Sequence, residues 1–193
     1  MAIYRLLQNS ALGPEEISRL AAAYEQTLRT LDVKHRNDPI TQLIAKKIIG
    51  IGQTDGRDPA EISRIAVEEL LARHRVLIIE DDALLAMDLE IALRSFGAEI
   101  VARVGDLDKA HDRVAKGDFD VAVVDINLRG RDTFSVADVL RKKQIPFVFA
   151  TGYGKEMIPA RFADVTLWEK PFSELKVARD VARLCHHAQA GIS

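Results

Sequence analysis

The sequence predicts an α/β protein in two parts: a parallel sheet covered on both faces by helices, preceded by a small all-α module of three helices. Two observations carry this reading. From His74 onward, short aliphatic runs alternate with amphipathic helical stretches. Before it, three segments each open with a capping residue or glycine followed by proline. The boundaries are 1–73 for the helical module and 74–193 for the α/β domain.

The three openings are Gly13-Pro14, Asp38-Pro39 and Asp58-Pro59. Proline suits the first helical position because the N–H it lacks has no intrahelical partner there. The first helix carries Ile17, Leu20, Tyr24, Leu28 and Leu31, the second Ile40, Leu43, Ile44 and Ile48, and the third Ile62, Ile65, Ala66 and Leu70, all at spacings that line one face. Asp58 with Glu61 reads as a capping box, and the glycines of "GIGQTDG" are expected to separate the second helix from the third. Three such helices make only a small core, so the module is expected to dock a partner, dimerise or cover another surface.

The strands of the second part are predicted at "RVLII" (75–79), "EIVARV" (99–104), "DVAVVD" (120–125), "PFVFAT" (146–151) and "VTLW" (165–168). Helical patterns lie between them at Leu85, Leu89, Ala92 and Phe96, at Leu107, Ala110 and Val114, and at Val136, Val139 and Leu140. A last helix follows Pro171 with Leu175, Ala178, Val181, Ala182 and Cys185. The single cysteine permits no internal disulfide, and its place on that stripe reads as packing.

Charge narrows the function classes. The formal net charge is -2, and residues 1–73 hold ten Lys and Arg against ten Asp and Glu. That balance offers no field for gathering nucleic acid, and no helix is rich enough in Arg or Lys to read a groove. The N-terminus has no apolar stretch of signal-peptide length, and no run approaches the ~20 apolar residues that span a bilayer. A cytoplasmic protein without a membrane segment is expected.

In open parallel sheets the ligand site lies at the carboxyl ends of the strands. Glu80 and Asp81 follow the first strand, Asp125 ends the third, Thr151 ends the fourth and Lys170 follows the fifth. Unit charges ~4 Å apart interact by ~4 kcal/mol at an effective dielectric of 20, so three clustered carboxylates need cations to stay ionised. Lys170 neutralises one. The rest calls for a hard divalent ion, and Mg2+ suits carboxylates, a main-chain carbonyl and water.

These residues resemble the receiver domains of two-component response regulators, over residues 74 to about 190. The resemblance implies a CheY-like (flavodoxin-like) five-stranded parallel sheet of order 2-1-3-4-5. It implies Asp125 as phosphoacceptor, Thr151 and Lys170 as its partners, and Mg2+ held by Glu80, Asp81, Asp125 and the backbone carbonyl of Asn127. The 44 positions from Asp81 to Asp125 match the family's usual spacing. A cis Lys170-Pro171 bond is implied as well. "PFVFATGYG" is similar to the FAT GUY subgroup, which mostly acts without a DNA-binding output domain; Phe149, Ala150, Thr151 and Gly152 match and Tyr153 comes one place early. The implied donor is a histidine kinase or a histidine phosphotransfer protein. The output is expected through a protein partner, by way of the N-terminal helices or the face near the fourth strand, with a homodimer as one arrangement.

The departures are specific. Where the family places an aromatic switch residue, three before the lysine, this chain has Leu167, with Trp168 beside it and expected at the rim of the site. Only 19 steps lead from Thr151 to Lys170, and "GYGKEMIPARFAD" holds two glycines and a proline, so the fourth helix should be short or loosely held and this face is the candidate moving part. Asp82 reads as an N-terminal helix charge, Arg129 and Arg131 as a solvated loop, His35 as a solvated side chain, and His186 and His187 as a polar helix end. Three rival readings stand beside the receiver. A transcriptional regulator with an atypical N-terminal DNA-binding module conflicts with the charge balance, and an aspartate-based phosphatase needs a second Asp where Asn127 stands. A phosphate-independent scaffold conflicts with the complete site. Residues 1–73 also read as short for the sigma-factor-like domain that precedes some receivers in stress signalling.

Overall fold

A computed structural model of the chain describes residues 2–8, 12–31, 33, 35, 40–53, 56–70, 72, 74–152, 154–171 and 173–190. Asp38, Pro39 and Tyr153, and the side chains of His186 and His187, lie outside the described residues. The chain divides into two units, Met1–Leu71 and Ala72–Ser193.

The first unit holds four helices among the described residues: α1 (Ala2–Leu7), α2 (Pro14–Thr30), α3 (Ile40–Gly52) and α4 (Pro59–Glu68). The expected three are α2, α3 and α4. A six-residue helix such as α1 is too short to declare a period, yet it buries Ile3 and Leu7. The predicted faces meet in one core, where Leu20, Tyr24, Leu28, Ile40, Ile44, Ile48, Ile62 and Ala66 are all buried. Between α2 and α4 the buried hydroxyl of Thr27 donates to the Ala23 carbonyl at 2.9 Å and pairs with the Ser63 hydroxyl at 2.9 Å. Asp58 caps α4 by accepting the Glu61 N–H at 2.9 Å.

The glycines of "GIGQTDG" do not all act as separators: Gly50 and Gly52 lie inside α3. A Cβ on Gly52 would come 2.1 Å from Leu20 Cδ2, so this glycine lets α3 approach α2 closely. Arg19 then crosses from α2, donating to the Gly52 carbonyl at 3.0 Å and to the Arg57 carbonyl at 2.9 Å.

The second unit is a parallel sheet of β1 (Arg75–Ile79), β2 (Glu99–Val104), β3 (Val121–Asp125), β6 (Phe147–Thr151) and β7 (Leu167–Glu169), in the order β2-β1-β3-β6-β7. Counting only these five strands gives the expected 2-1-3-4-5. An additional hairpin, β4 (Asn127–Leu128) with β5 (Arg131–Asp132), follows β3 and was not predicted. The helices are α5 (Ala83–Ser95), α6 (Leu107–Lys116), α7 (Phe134–Lys142) and α8 (Glu174–Ala190). Asp82 caps α5 through the Leu84 and Leu85 N–H groups, at 2.9 and 3.2 Å, and Asp106 caps α6 in the same way.

One face of the sheet packs Leu77, Ile79, Ala122, Val124, Phe147 and Phe149 against Ala110 and Val114 of α6, Val136 and Leu140 of α7, and Phe162. Where a short or loosely held fourth helix was expected stand two 3-10 turns, Lys155–Met157 and Ala160–Phe162. Phe162 is fully buried and meets the Phe149 ring edge-on at 5.5 Å, while the guanidinium groups of Arg141 and Arg161 lie 5.0 and 4.7 Å from its centroid. Arg161 is bonded to both carboxylate oxygens of Asp138 at 3.1 Å, and Arg141 to Asp164 at 2.7 Å.

Trp168 is not at the rim of the site, as the sequence led one to expect. It is fully buried and donates its indole N–H to Asp180 Oδ2 of α8 at 2.9 Å. Alternation along β7 puts Leu167 with Phe149 and Phe162, and hence Trp168 on the opposite face. Cys185 is buried too, and burial pushes its thiol up to about 12.

Candidate functional site

The carboxyl ends of β1, β3, β6 and β7 bring the predicted residues together. β1 delivers Glu80 and Asp81 next to β3, and ligand atoms of Glu80, Asp81 and Asp125 all lie within 4.8 Å of one another. Lys170 follows β7 and spans two of the three: Nζ lies 2.6 Å from Glu80 Oε2 and 2.6 Å from Asp125 Oδ2. Its peptide bond to Pro171 is cis. Thr151 is fully buried at the end of β6, next to Ala150, whose partner in β3 is Asp125; the Thr151 carbonyl accepts the Lys170 N–H at 2.8 Å.

Backbone donors hold the acids in place. Asp82 N–H donates to Glu80 Oε1 at 3.2 Å, Asn127 N–H to Asp125 Oδ1 at 3.1 Å, and Arg129 N–H to Asp81 Oδ2 at 3.1 Å. The side chain of Asn127 accepts the Gly130 N–H at 2.8 Å and so shapes the β4–β5 turn. Arg129 therefore enters the site through its backbone, while Arg131 pairs with Asp108 at 3.4 Å and His35 is exposed.

Burial dominates the electrostatics. It pushes the Glu80 carboxyl up to about 7, with Lys170 opposing the shift and the Asp125 charge adding to it. Burial also pulls Lys170 down, but its bonds to Asp125 and Glu80 outweigh that and hold it above the ordinary lysine range. Three carboxylates around one ammonium leave an excess of negative charge. The all-oxygen donor set and that excess fit a hard divalent cation.

Two residues escaped the sequence reading. A Cβ on Gly105 would lie 2.9 Å from Asp81 Cα and 3.0 Å from the Glu80 carbonyl, so the loop after β2 touches the acid pair through a glycine. Its signal was available, a glycine directly after the neighbouring strand. Thr133, fully buried, donates its hydroxyl to the Asp125 main-chain carbonyl at 2.6 Å. Nothing in the spacing of the sequence marked it.

The class of site is one in which acids and a lysine from several parallel strands surround a single aspartate. Residues 76–176 match the family model of the response regulator receiver domain, and the chain belongs to that family. Over 103 residues it is 35% identical to the transcriptional regulatory protein PdtaR of Mycobacterium tuberculosis, covering 51% of this chain and 50% of that one. The chain thus spans about half the length of the curated relatives it matches. SdrG from Sphingomonas melonis Fr1 is 39% identical, with a TM-score of 0.53 over 60% of this chain and 97% of that chain. The anti-anti-sigma factor PhyR from Bartonella quintana, 19% identical, shares the fold, with a TM-score of 0.60 over 98% of this chain and 86% of that chain. That match covers nearly the whole chain, the helical unit included. Among the described residues no helix is long and apolar enough to cross a membrane.

Proposed function

We propose that this response regulator accepts a phosphoryl group on Asp125 and signals through protein contacts. The observation that carries the reading is the shared position of Lys170, 2.6 Å from both Glu80 and Asp125, beside a third carboxylate, Asp81. Glu80, Asp81, Asp125 and the Asn127 carbonyl would hold Mg2+, which when bound supplies positive charge to the phosphoryl oxygens.

The rest falls to the chain. An oxygen of Asp125 attacks the phosphorus of a phosphohistidine in line; the P–N bond breaks, and its electron pair leaves with the donor imidazole. The Asn127 N–H on Asp125 Oδ1 fixes the carboxylate's rotation, and Lys170 balances the negative charge as the acyl phosphate forms. Thr151, at the end of the neighbouring strand, donates its hydroxyl to the attached group, and that pull draws on the segment between β6 and β7.

The donor is a histidine kinase or histidine phosphotransfer protein. Leu84, 73% exposed, begins an apolar ridge with Met87 and Ile91 on α5, directly after the acid cluster, and suits contact with such a protein. Residues 1–73 serve as the output module and 74–193 as the receiver. A protein target is favoured over DNA by the even balance of charge in the module. The fold shared with an anti-anti-sigma factor over nearly the whole chain makes an anti-sigma protein the leading candidate for that target.

Incubation with acetyl phosphate and Mg2+, followed by intact mass, tests the reading. One phosphoryl group should appear on the wild type and none on Asp125→Asn; phosphorylation of the variant would sink the site assignment.

A further inference from the structure

We infer that Thr133 is a positioning residue for the acceptor site, an inference that rests on the reading of Asp125 above. Thr133 occupies the N-cap position of α7, where a threonine hydroxyl ordinarily accepts a backbone N–H of the first helical turn. Here the side chain makes no capping bond. Its hydroxyl is turned back to donate to the Asp125 carbonyl at 2.6 Å, and its N–H donates to the Ile126 carbonyl at 3.1 Å.

Those two bonds close the neck of the loop 126–132. From that loop come the Asn127 N–H on Asp125 Oδ1 and the Arg129 N–H on Asp81 Oδ2, both at 3.1 Å. Arg129 and Gly130 turn the loop with φ values of 52° and 84°, a left-handed pair that a non-glycine residue adopts only when its surroundings hold it there. One clip therefore orients two of the three acids, and Thr133 is its clasp. A fully buried hydroxyl is costly unless bonded, and the strand-end carbonyl it serves is equally costly to leave without a donor.

Thr133→Val keeps the shape and removes the donor, and Thr133→Ser restores it. Mg2+ affinity by calorimetry and the rate of phosphorylation by acetyl phosphate are measured alongside the melting temperature. Valine should weaken Mg2+ binding and slow phosphorylation by about tenfold, the lower end for groups that orient a ligand, and serine should recover most of both. If the valine variant does not fold, Thr133→Ala carries the same comparison without the branched methyl. A variant that only melts earlier, with Mg2+ affinity and rate as in the wild type, would overturn the inference, as would equal impairment by valine and serine. A wild type that neither binds Mg2+ nor gains mass would refute the acceptor reading itself, and the positioning role with it.

Discussion

The ammonium nitrogen of Lys170 lies 2.6 Å from Oδ2 of Asp125, although 45 positions separate the two residues in the chain. The same nitrogen engages Glu80, so Lys170 competes with any metal ion for oxygens of the site.

Replacing Lys170 with methionine should therefore move two properties in opposite directions. Mg2+ binding strengthens, by about tenfold, because the remaining charge is more negative and one competitor is gone. Phosphorylation by acetyl phosphate slows, because nothing then balances the charge on the acyl phosphate. Calorimetry and intact mass on the same sample check both, and a variant that binds Mg2+ more weakly would contradict the assignment of Lys170 as a competing cation.

Glu80 predicts a pH dependence. Its carboxyl titrates at about 7 in the folded chain against an ordinary value of 4.5, so between those values the folded state holds more protons than the unfolded state. Metal-free stability should then fall as pH rises through that window, with the loss complete above about 7. Mg2+ should flatten the slope by taking the proton's place, and Glu80→Gln should flatten it without metal. Melting curves across pH, with and without Mg2+, give the comparison.

Gly105→Ala places a methyl 2.9 Å from Asp81 Cα and 3.0 Å from the Glu80 carbonyl, both backbone atoms that cannot swing aside. We expect a loss of about 1–3 kcal/mol, the usual cost of overpacking, together with weaker Mg2+ binding because the acid pair itself is displaced. Denaturant unfolding and calorimetry test it. Unchanged Mg2+ affinity would show that the strand end relaxes without moving its carboxylates.

The Phe162 turn should open more often when its arginine contacts are cut. Arg161→Ala removes a cation–π contact worth ~0.5–1 kcal/mol and an exposed ion pair with Asp138 worth less than about 1 kcal/mol. Amide exchange at Phe162 and Val165, whose N–H groups bond to the Pro159 and Phe162 carbonyls, should then quicken by roughly five- to tenfold. Exchange at β3 amides serves as the control and should not change.

The sheet was legible because its strands are runs of aliphatic residues bounded by polar ends, and the candidate site because those ends carry Glu80, Asp81, Asp125, Thr151 and Lys170. Periodicity fails where elements are too short for their period to repeat. The six residues of α1 and the two-residue strands β4 and β5 were therefore unreadable. Direction was hidden too. Nearness in sequence to Lys170 suggested that Trp168 borders the site, but the two-residue period of β7 sends it under α8 to Asp180. Likewise, nothing in the letters around Thr133 marks it, and only the three-dimensional path shows its hydroxyl serving the strand behind it.

The seclusion of Cys185 has a practical consequence. A thiol held inside α8's packing and titrating near 12 stays protonated at neutral pH, and the chain has no second cysteine. Maleimide and iodoacetamide reagents should therefore leave the folded wild type unmodified. A cysteine placed at Met157, 56% exposed in the first 3-10 turn, would become the one reactive handle, ready to carry a spin label or a fluorophore without stripping the native sequence first.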